Sequence, residues 1–515
     1  MRLRTTAART KGPLPLALLT TAVALGIFAA PTAASAAPAM PVADSSTGAG
    51  SSSGLVSSRP AEGSHGSRWR FDATETTLTD VARVTGADRL WQAGITGQGV
   101  GVALIDSGVA PVSGLSSGNV TNGPDLSLDS QAPDLRYRDA FGHGTHLAGI
   151  IAGNDPASGF RGIAPDAQLT SVKVAAANGV VDVSQVIAAV DWVVAHRNDD
   201  PARPIRVLNL AYGTDGIQDY RVDPLTHAVE NAWRAGIVVV VAGGNGGTTD
   251  PRLTNPARDP FVLSVGSNDT AGTVRTSDDV VSDFSSRGDA TRRVDLVAPG
   301  RSIVSLRAPG SAADADFPSA RVGDSLFKGS GTSQATAVVA GAVALLLQQH
   351  PNLTPDAVKA LLIQNAVPLP KTDAAGQGAG ELNLTRTNRL GPDRVTQNWS
   401  RSTGTGSLEA ARGSAHVTED GIDLTGENDI FGTFDAARWA SASSNGTAWN
   451  RGNWMGHDWT GDGWTGSSWT SVTWSSHTWS SHTWSGHTWS SHTWSSHTWS
   501  SHTWSGHTWS GDSWS

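Results

Sequence analysis

Cysteine is absent from the 515 residues, which excludes a disulfide framework and any thiolate metal site. After residue 30 no run is apolar enough to cross a bilayer. Positive charge is in short supply too, with 37 Lys and Arg against 46 Asp and Glu. Four of those cations (Arg2, Arg4, Arg9 and Lys11) precede an apolar stretch at 14–30, which is short and contains Pro15. The small-residue site Ala34-Ser35-Ala36 follows. That order predicts a secretory signal peptide over 1–36, cut after Ala36. Losing four cations and no anions takes the net charge from −9 to −13, which argues against nucleic acid as a partner. The expected destination is extracellular, in solution or at the cell surface, with no membrane span once the signal is removed.

Five segments are expected. Residues 37–70 are rich in Ala, Ser, Gly and Pro, the composition of a solvated linker or short pro-segment. Residues 71–390 read as a folded domain. A short helix is expected at 80–91, and apolar strands at 100–105, 169–174, 207–210, 237–242 and 262–265. Helices at 183–195 and 224–235 alternate with them, and another begins at Thr354-Pro355-Asp356 with Thr as cap and Pro at the first helical position. This alternation indicates an α/β fold with a mostly parallel sheet covered on both faces. Functional groups in such sheets gather beyond the carboxyl ends of the strands. Packed character is expected to fade near Asn383, leaving 391–447 as a polar connecting segment with one hairpin at 416–424.

From Trp449 to Trp514 a tryptophan stands at every fifth position, and His477 to His507 keep the same beat. A period of five gathers the rings on one side of neither a strand nor an α-helix. The tail, 448–515, is therefore read as low-complexity chain that is disordered or loosely β, with a five-residue solenoid coil as the alternative.

The stretch around which the domain is organised starts at Gly329-Ser330-Gly331-Thr332-Ser333. From Ala335 to Leu347 only Thr336 and Gly341 lack aliphatic side chains, as in a helix buried on nearly every side. Ser333 stands at its mouth, where free N–H groups and the positive dipole end favour developing negative charge. Ser is also an ordinary helix cap, so the chemistry depends on partners. Two further motifs supply them. Ile105-Asp106-Ser107-Gly108 sits at a strand end, and Gly142-His143-Gly144-Thr145-His146 opens an apolar helix. A serine hydroxyl needs a base to take its proton, and that imidazole needs a buried carboxylate to hold its tautomer. Ser333 is assigned as nucleophile, His143 as general base and then acid, and Asp106 as orienting acid. His146 could share a metal with His143, but no third ligand is legible and no metal site is assigned.

These motifs, with Gly162-Ile163-Ala164-Pro165, Ala242-Gly243-Gly244-Asn245-Gly246, Phe284-Ser285-Ser286-Arg287-Gly288 and Val297-Ala298-Pro299-Gly300, resemble the subtilisin-like serine peptidases (subtilases, peptidase S8) over about residues 75–385. The resemblance implies a subtilisin-like three-layer fold, the same triad, and the side chain of Asn245 as oxyanion donor beside the Ser333 backbone N–H. It implies a substrate cleft lined by Leu210, Ala211 and Gly213 on one side and Ala242, Gly243 and Gly244 on the other, pairing with an extended peptide. It also implies protein or peptide substrates, no required cofactor, and structural calcium as a family property with no ligand set legible here. Gln334 stands where the family usually has Met, Ala337-Val338 where it has Pro-His, and Ala211-Tyr212-Gly213 where it has Ser-Leu-Gly. The function expected is secreted endopeptidase action through an acyl-enzyme. The alternative is a wall-binding protein whose Trp/His tail meets cell-wall polymer or Zn²⁺ and Cu²⁺, the peptidase serving mainly processing.

Overall fold

The computed structural model describes residues 75–371, 375–387, 395–419, 422–459 and 474–475, all within one compact unit, Trp69–Ser515. The expected signal peptide, the 37–70 segment and His477 to His507 lie outside the described residues.

The core is an eight-stranded sheet. Its strands are β1 (Gly101–Asp106), β2 (Val120–Asp125), β3 (Gln168–Lys173), β4 (Ile205–Leu210), β5 (Val238–Ala242), β6 (Leu263–Asp269), β7 (Val280–Val281) and β8 (Leu296–Pro299). They lie in the order β7-β6-β5-β4-β1-β3-β2, with β8 also on β6, and every pairing is parallel except the β6–β7 hairpin. The mostly parallel sheet is the one expected. All of β1 and β5 is buried, because a parallel sheet with helices on each face presents neither side to water. Edge strand β2, Val-Thr-Asn-Gly-Pro-Asp, is half exposed. Its Gly and Pro hide it from any reading based on apolar runs.

The expected first helix is two, α1 (Leu78–Thr85) and α2 (Ala87–Gln92), because Gly86 adopts left-handed φ 79° between them. Then come α3 (His143–Ala152), α4 (Val183–His196), α5 (Pro224–Arg234), α6 (Ala312–Asp316), α7 (Thr332–Gln349) and α8 (Pro355–Asn365). Helices α3 and α7 pack together against the sheet, while α4 and α5 form a second pair against it. Thr354 caps α8 by accepting from Ala357 N at 3.2 Å, as its sequence predicts. Every residue of α7 from Thr332 to Leu347 is buried. It runs so close to the loop before β3 that a Cβ on Gly341 would stand 2.6 Å from Ile163 Cβ.

Packed character does not fade at Asn383. The later chain forms α9 (Leu408–Arg412) and α10 (Ala436–Ser444), which pack on α4 and α5. The expected hairpin is present as Thr418–Glu419 paired with Ile422–Asp423. Leu408, Val417, Leu424, Ile430, Phe434 and Trp439 are buried. They are too widely and irregularly spaced to register as a periodic face, yet each lands on existing structure. Fully buried Arg412 is the pin. It donates to Asp182 Oδ2 at 2.7 Å, to Glu409 Oε2 at 2.6 Å and to Asn428 O at 2.7 Å, and Asp182 is itself the capping-box residue of α4.

The first tryptophans of the repeat are ordered, and neither disorder nor a coil describes them. Trp449–Asn450, Asn453–Trp454 and His457–Asp458 zigzag as three antiparallel strands. Both intervening turns place their two central residues, Arg451-Gly452 and Met455-Gly456, at positive φ, the backbone of tight two-residue hairpins. The rings of Trp449, Trp454 and Trp459 are buried. Their indole N–H groups donate to Ala188 O, Asp191 Oδ2 and Leu126 O at 2.7, 3.0 and 3.0 Å. Hairpin turns restore the one-sidedness that a period of five lacks in a straight strand or helix.

Candidate active site

Each element delivers one group to the carboxyl edge of the sheet. Asp106 is the last residue of β1 and is buried. Its two carboxylate oxygens lie 2.9 and 3.0 Å from His143 Nδ1, and Oδ1 also accepts Ser107 N–H at 2.7 Å. His143 is the first residue of α3. The helix start can approach β1 only because residue 144 is Gly: a Cβ there would sit 2.1 Å from Gly108 O. Both side chains are buried, so their interaction is little screened by solvent.

A second layer fixes this junction. Asp139 Oδ1 accepts from Gly142 N at 2.6 Å and from Ser107 Oγ at 2.9 Å. Its Oδ2 accepts from Thr145 N at 2.8 Å and Thr145 Oγ1 at 2.5 Å. Ser107 Oγ in turn accepts Gly144 N–H at 2.9 Å. Burial pushes the Asp139 carboxyl up, against the pull of the Thr145 and Gly142 hydrogen bonds. The sequence reading missed Asp139. Its only signal is an acidic residue shortly before a glycine-flanked helix start, a common capping pattern. His146 takes a structural place instead of joining a metal pair, with Nε2 3.1 Å from Phe327 O. Burial first, and His143 second, push its pKa down to about 3.

The nucleophile candidate lies on the other side. Gly331 precedes α7, and Ser333 is the second helical residue, buried at the dipole's positive end. Ser333 Oγ has no hydrogen-bond partner among the described residues, so its contact with His143 is not made in this conformation. Such contacts often form only with substrate bound. Asn245 reaches the same helix mouth. Its Oδ1 accepts Thr332 N–H at 2.8 Å, which orients the amide, and its buried Nδ2 donates to nothing. A buried amide donor without an acceptor is costly to maintain, and a transient oxyanion is what it could serve.

The two expected cleft walls differ. Leu210 ends β4, and Ala211, Tyr212 and Gly213 continue past it. Ala242, Gly243 and Gly244 follow the edge of β5, but their backbone is committed internally. Gly243 N donates to Val265 O and Gly244 N to Thr332 Oγ1, while the Gly243 and Gly244 carbonyls accept from Thr254 and Ser286. That segment shapes the cleft without offering a free strand edge. Beside Asn245 opens a cleft of about 390 Å³ whose lining includes Asp215, Ile217, Leu253, Thr254 and Arg258.

Residues 97–406 match the family described as the subtilase family, Peptidase_S8. The chain is 40% identical over 296 residues to serine protease AprX of Bacillus subtilis, covering 56% of this chain and 66% of that protein. It is 32% identical to the minor extracellular protease Epr of the same organism over 54% of this chain and 37% of Epr. To the major intracellular serine protease of B. subtilis it is 31% identical over 61% of this chain and 90% of that enzyme. The chain thus spans just under two thirds of the first relative and little more than a third of the second. With a family match over more than half its length and the family's motifs at one sheet edge, the chain belongs to the subtilase family of serine peptidases.

Proposed function

We propose that the protein is a secreted serine endopeptidase that cleaves peptide bonds through an acyl-enzyme. The observation that carries the reading is the buried Asp106–His143 pair facing a helix mouth that holds Ser333 and the unpaired Asn245 amide. In this reading His143 takes the Ser333 hydroxyl proton as Oγ attacks the substrate carbonyl carbon. Asp106 stabilises the imidazolium. The oxyanion is met by Asn245 Nδ2 and the Ser333 N–H, at the positive end of α7. The tetrahedral adduct collapses as the C–N bond breaks, and His143 returns the proton to the leaving amine. Water then repeats the sequence on the ester, releasing the acid and restoring Ser333. All these steps use groups of the chain itself. Secretion is supported by the basic, apolar and small-residue order at 1–36 and by the extracellular designation of Epr. Among the described residues no helix is long and apolar enough to cross a membrane.

Ser333→Ala is expected to abolish casein and peptide-ester hydrolysis and labelling by a fluorophosphonate while the protein stays folded. Undiminished turnover would defeat the reading.

A further inference from the structure

Behind the nucleophile lies a set of buried oxygens that the reaction does not use. Strand β6 turns back into β7, with Asp269 opposite Val280 and Asn268 opposite Val281. One more step of that register sets Thr270 opposite Asp279. Alternation then puts Asn268, Thr270 and Asp279 on one face of the ribbon. Glu381 lies against that face, where its Oε1 accepts Asn268 Nδ2–H at 2.7 Å. Its backbone bridges both Val297, on β8, and Val367. The Asp279 and Glu381 carboxyls are close enough to hydrogen-bond if one is protonated.

All four residues are buried: Asn268 and Asp279 are 0% exposed, Glu381 1% and Thr270 2%. Five of their oxygens have no hydrogen-bond partner among the described residues. These are both carboxylate oxygens of Asp279, Glu381 Oε2, Asn268 Oδ1 and Thr270 Oγ1. No Lys or Arg among the described residues forms an ion pair with either acid. Burial pushes both carboxyls up, as expected of acids without a counter-charge. Elsewhere the chain answers the same need with its own cation. Buried Lys359 donates to Pro260 O at 2.6 Å and Val262 O at 2.8 Å and sits 3.2 Å from Asp295. At the β6–β7 turn no such cation is supplied.

We propose that Asn268, Thr270, Asp279 and Glu381 form a binding site for a hard divalent cation of the calcium class. Two carboxylates, an amide oxygen and a hydroxyl are the oxygen donors such ions prefer. The flexible geometry of Ca²⁺ tolerates an irregular set completed by water or carbonyl oxygen better than the strict octahedron of Mg²⁺ does. Among the described residues no three or more His, Asp or Glu gather as a metal site. This set differs in drawing half its side chains from neutral residues. Asn268 Oδ1 and Thr270 Oγ1, buried without donors, are the sign that a cation is the missing partner.

The site has a route to the reaction. Asn268 O accepts Gly300 N–H at 3.1 Å, and Gly300 O accepts Gly331 N–H at 2.8 Å. Gly331 immediately precedes α7 and lies two residues before Ser333. A cation here would tie the β6–β7 turn to the mount of the nucleophile through two backbone hydrogen bonds.

The test uses the full chain carrying Ser333→Ala, which prevents self-digestion, stripped with a chelator and titrated with CaCl₂ by calorimetry and thermal melting. Calcium should raise Tm by several degrees, and MgCl₂ by less. Glu381→Gln should bind one fewer Ca²⁺ per chain. Should that variant fail to fold, the paired change Asp279→Asn with Glu381→Gln, which removes both charges, should fold without calcium and show no Tm response from this site. Equal calcium stoichiometry and Tm shift in parent and paired variant would place the ion elsewhere and overturn the proposal. No uptake by the stripped parent would mean that the acids share a proton, and would overturn it equally. Because the parent lacks the nucleophile, either failure leaves the peptidase reading untouched.

Discussion

Asp139→Asn isolates what the second layer does for the base. Four donors converge on this carboxylate: Gly142 N and Ser107 Oγ on one oxygen, Thr145 N and Thr145 Oγ1 on the other. The amide replaces one acceptor by an NH₂ group. The two hydroxyls can rotate to accept from it, but a backbone N–H cannot. Whichever way the amide is turned, either Gly142 N–H or Thr145 N–H is left buried and facing a donor. That costs about 1–3 kcal/mol, and the remaining bonds lose their charge assistance. The lost charge acts on the reaction as well. It lies at the start of α3, where the helix dipole opposes the imidazolium that His143 must carry in the transition state. If about 1.4–2.8 kcal/mol of this reaches the transition state, kcat falls roughly 10–100-fold. Substrate contacts are untouched, so KM should stay within about threefold. Steady-state hydrolysis of a chromogenic peptide measures both constants, and circular dichroism checks the fold. A kcat/KM within about twofold of the parent, or a loss carried wholly by KM, would refute the positioning role.

Asn245→Ala should lower kcat by about 10²–10³-fold, the size known for oxyanion donors in this family, with little change in KM; a loss confined to KM would make Asn245 a substrate contact instead. Arg412→Met strands the buried Asp182 carboxylate, costing about 3–5 kcal/mol. By per-residue unfolding entropy that is roughly a 4–6 °C fall in Tm for a unit of this size. A separate early transition with the main Tm unmoved would show that 395–459 folds apart from the sheet domain. His146, pushed down to about 3 by burial and His143, binds a proton more readily unfolded, where its pKa is about 6.5. Stability should therefore fall as pH drops from about 6.5 toward 3, by up to about 1.4 kcal/mol per unit. In His146→Gln the urea midpoint should lose that part of its pH slope, and an identical slope would contradict the assignment.

The sequence alone determined the parts whose signal is local. An unbroken aliphatic run such as Val238–Ala242 can satisfy its surface only inside a covered parallel sheet. A stretch like 335–347, apolar all round, must be a core helix. Asp106, His143, Ser333 and Asn245 each stood in a motif readable within a few residues. Whatever depends on distant chain meeting in space was decided by the tertiary structure alone. Asp139 looks like a cap until Ser107 and Thr145 close on it. The backbone of Gly243 and Gly244 looks free until Val265, Thr254 and Ser286 bond to it. Arg412 gives no hint along the chain that its partner stands 230 residues away at Asp182. The tryptophan beat shows why most clearly. A period read along a straight element cannot foresee the positive-φ turns at Arg451-Gly452 and Met455-Gly456, which fold every fifth ring onto one surface.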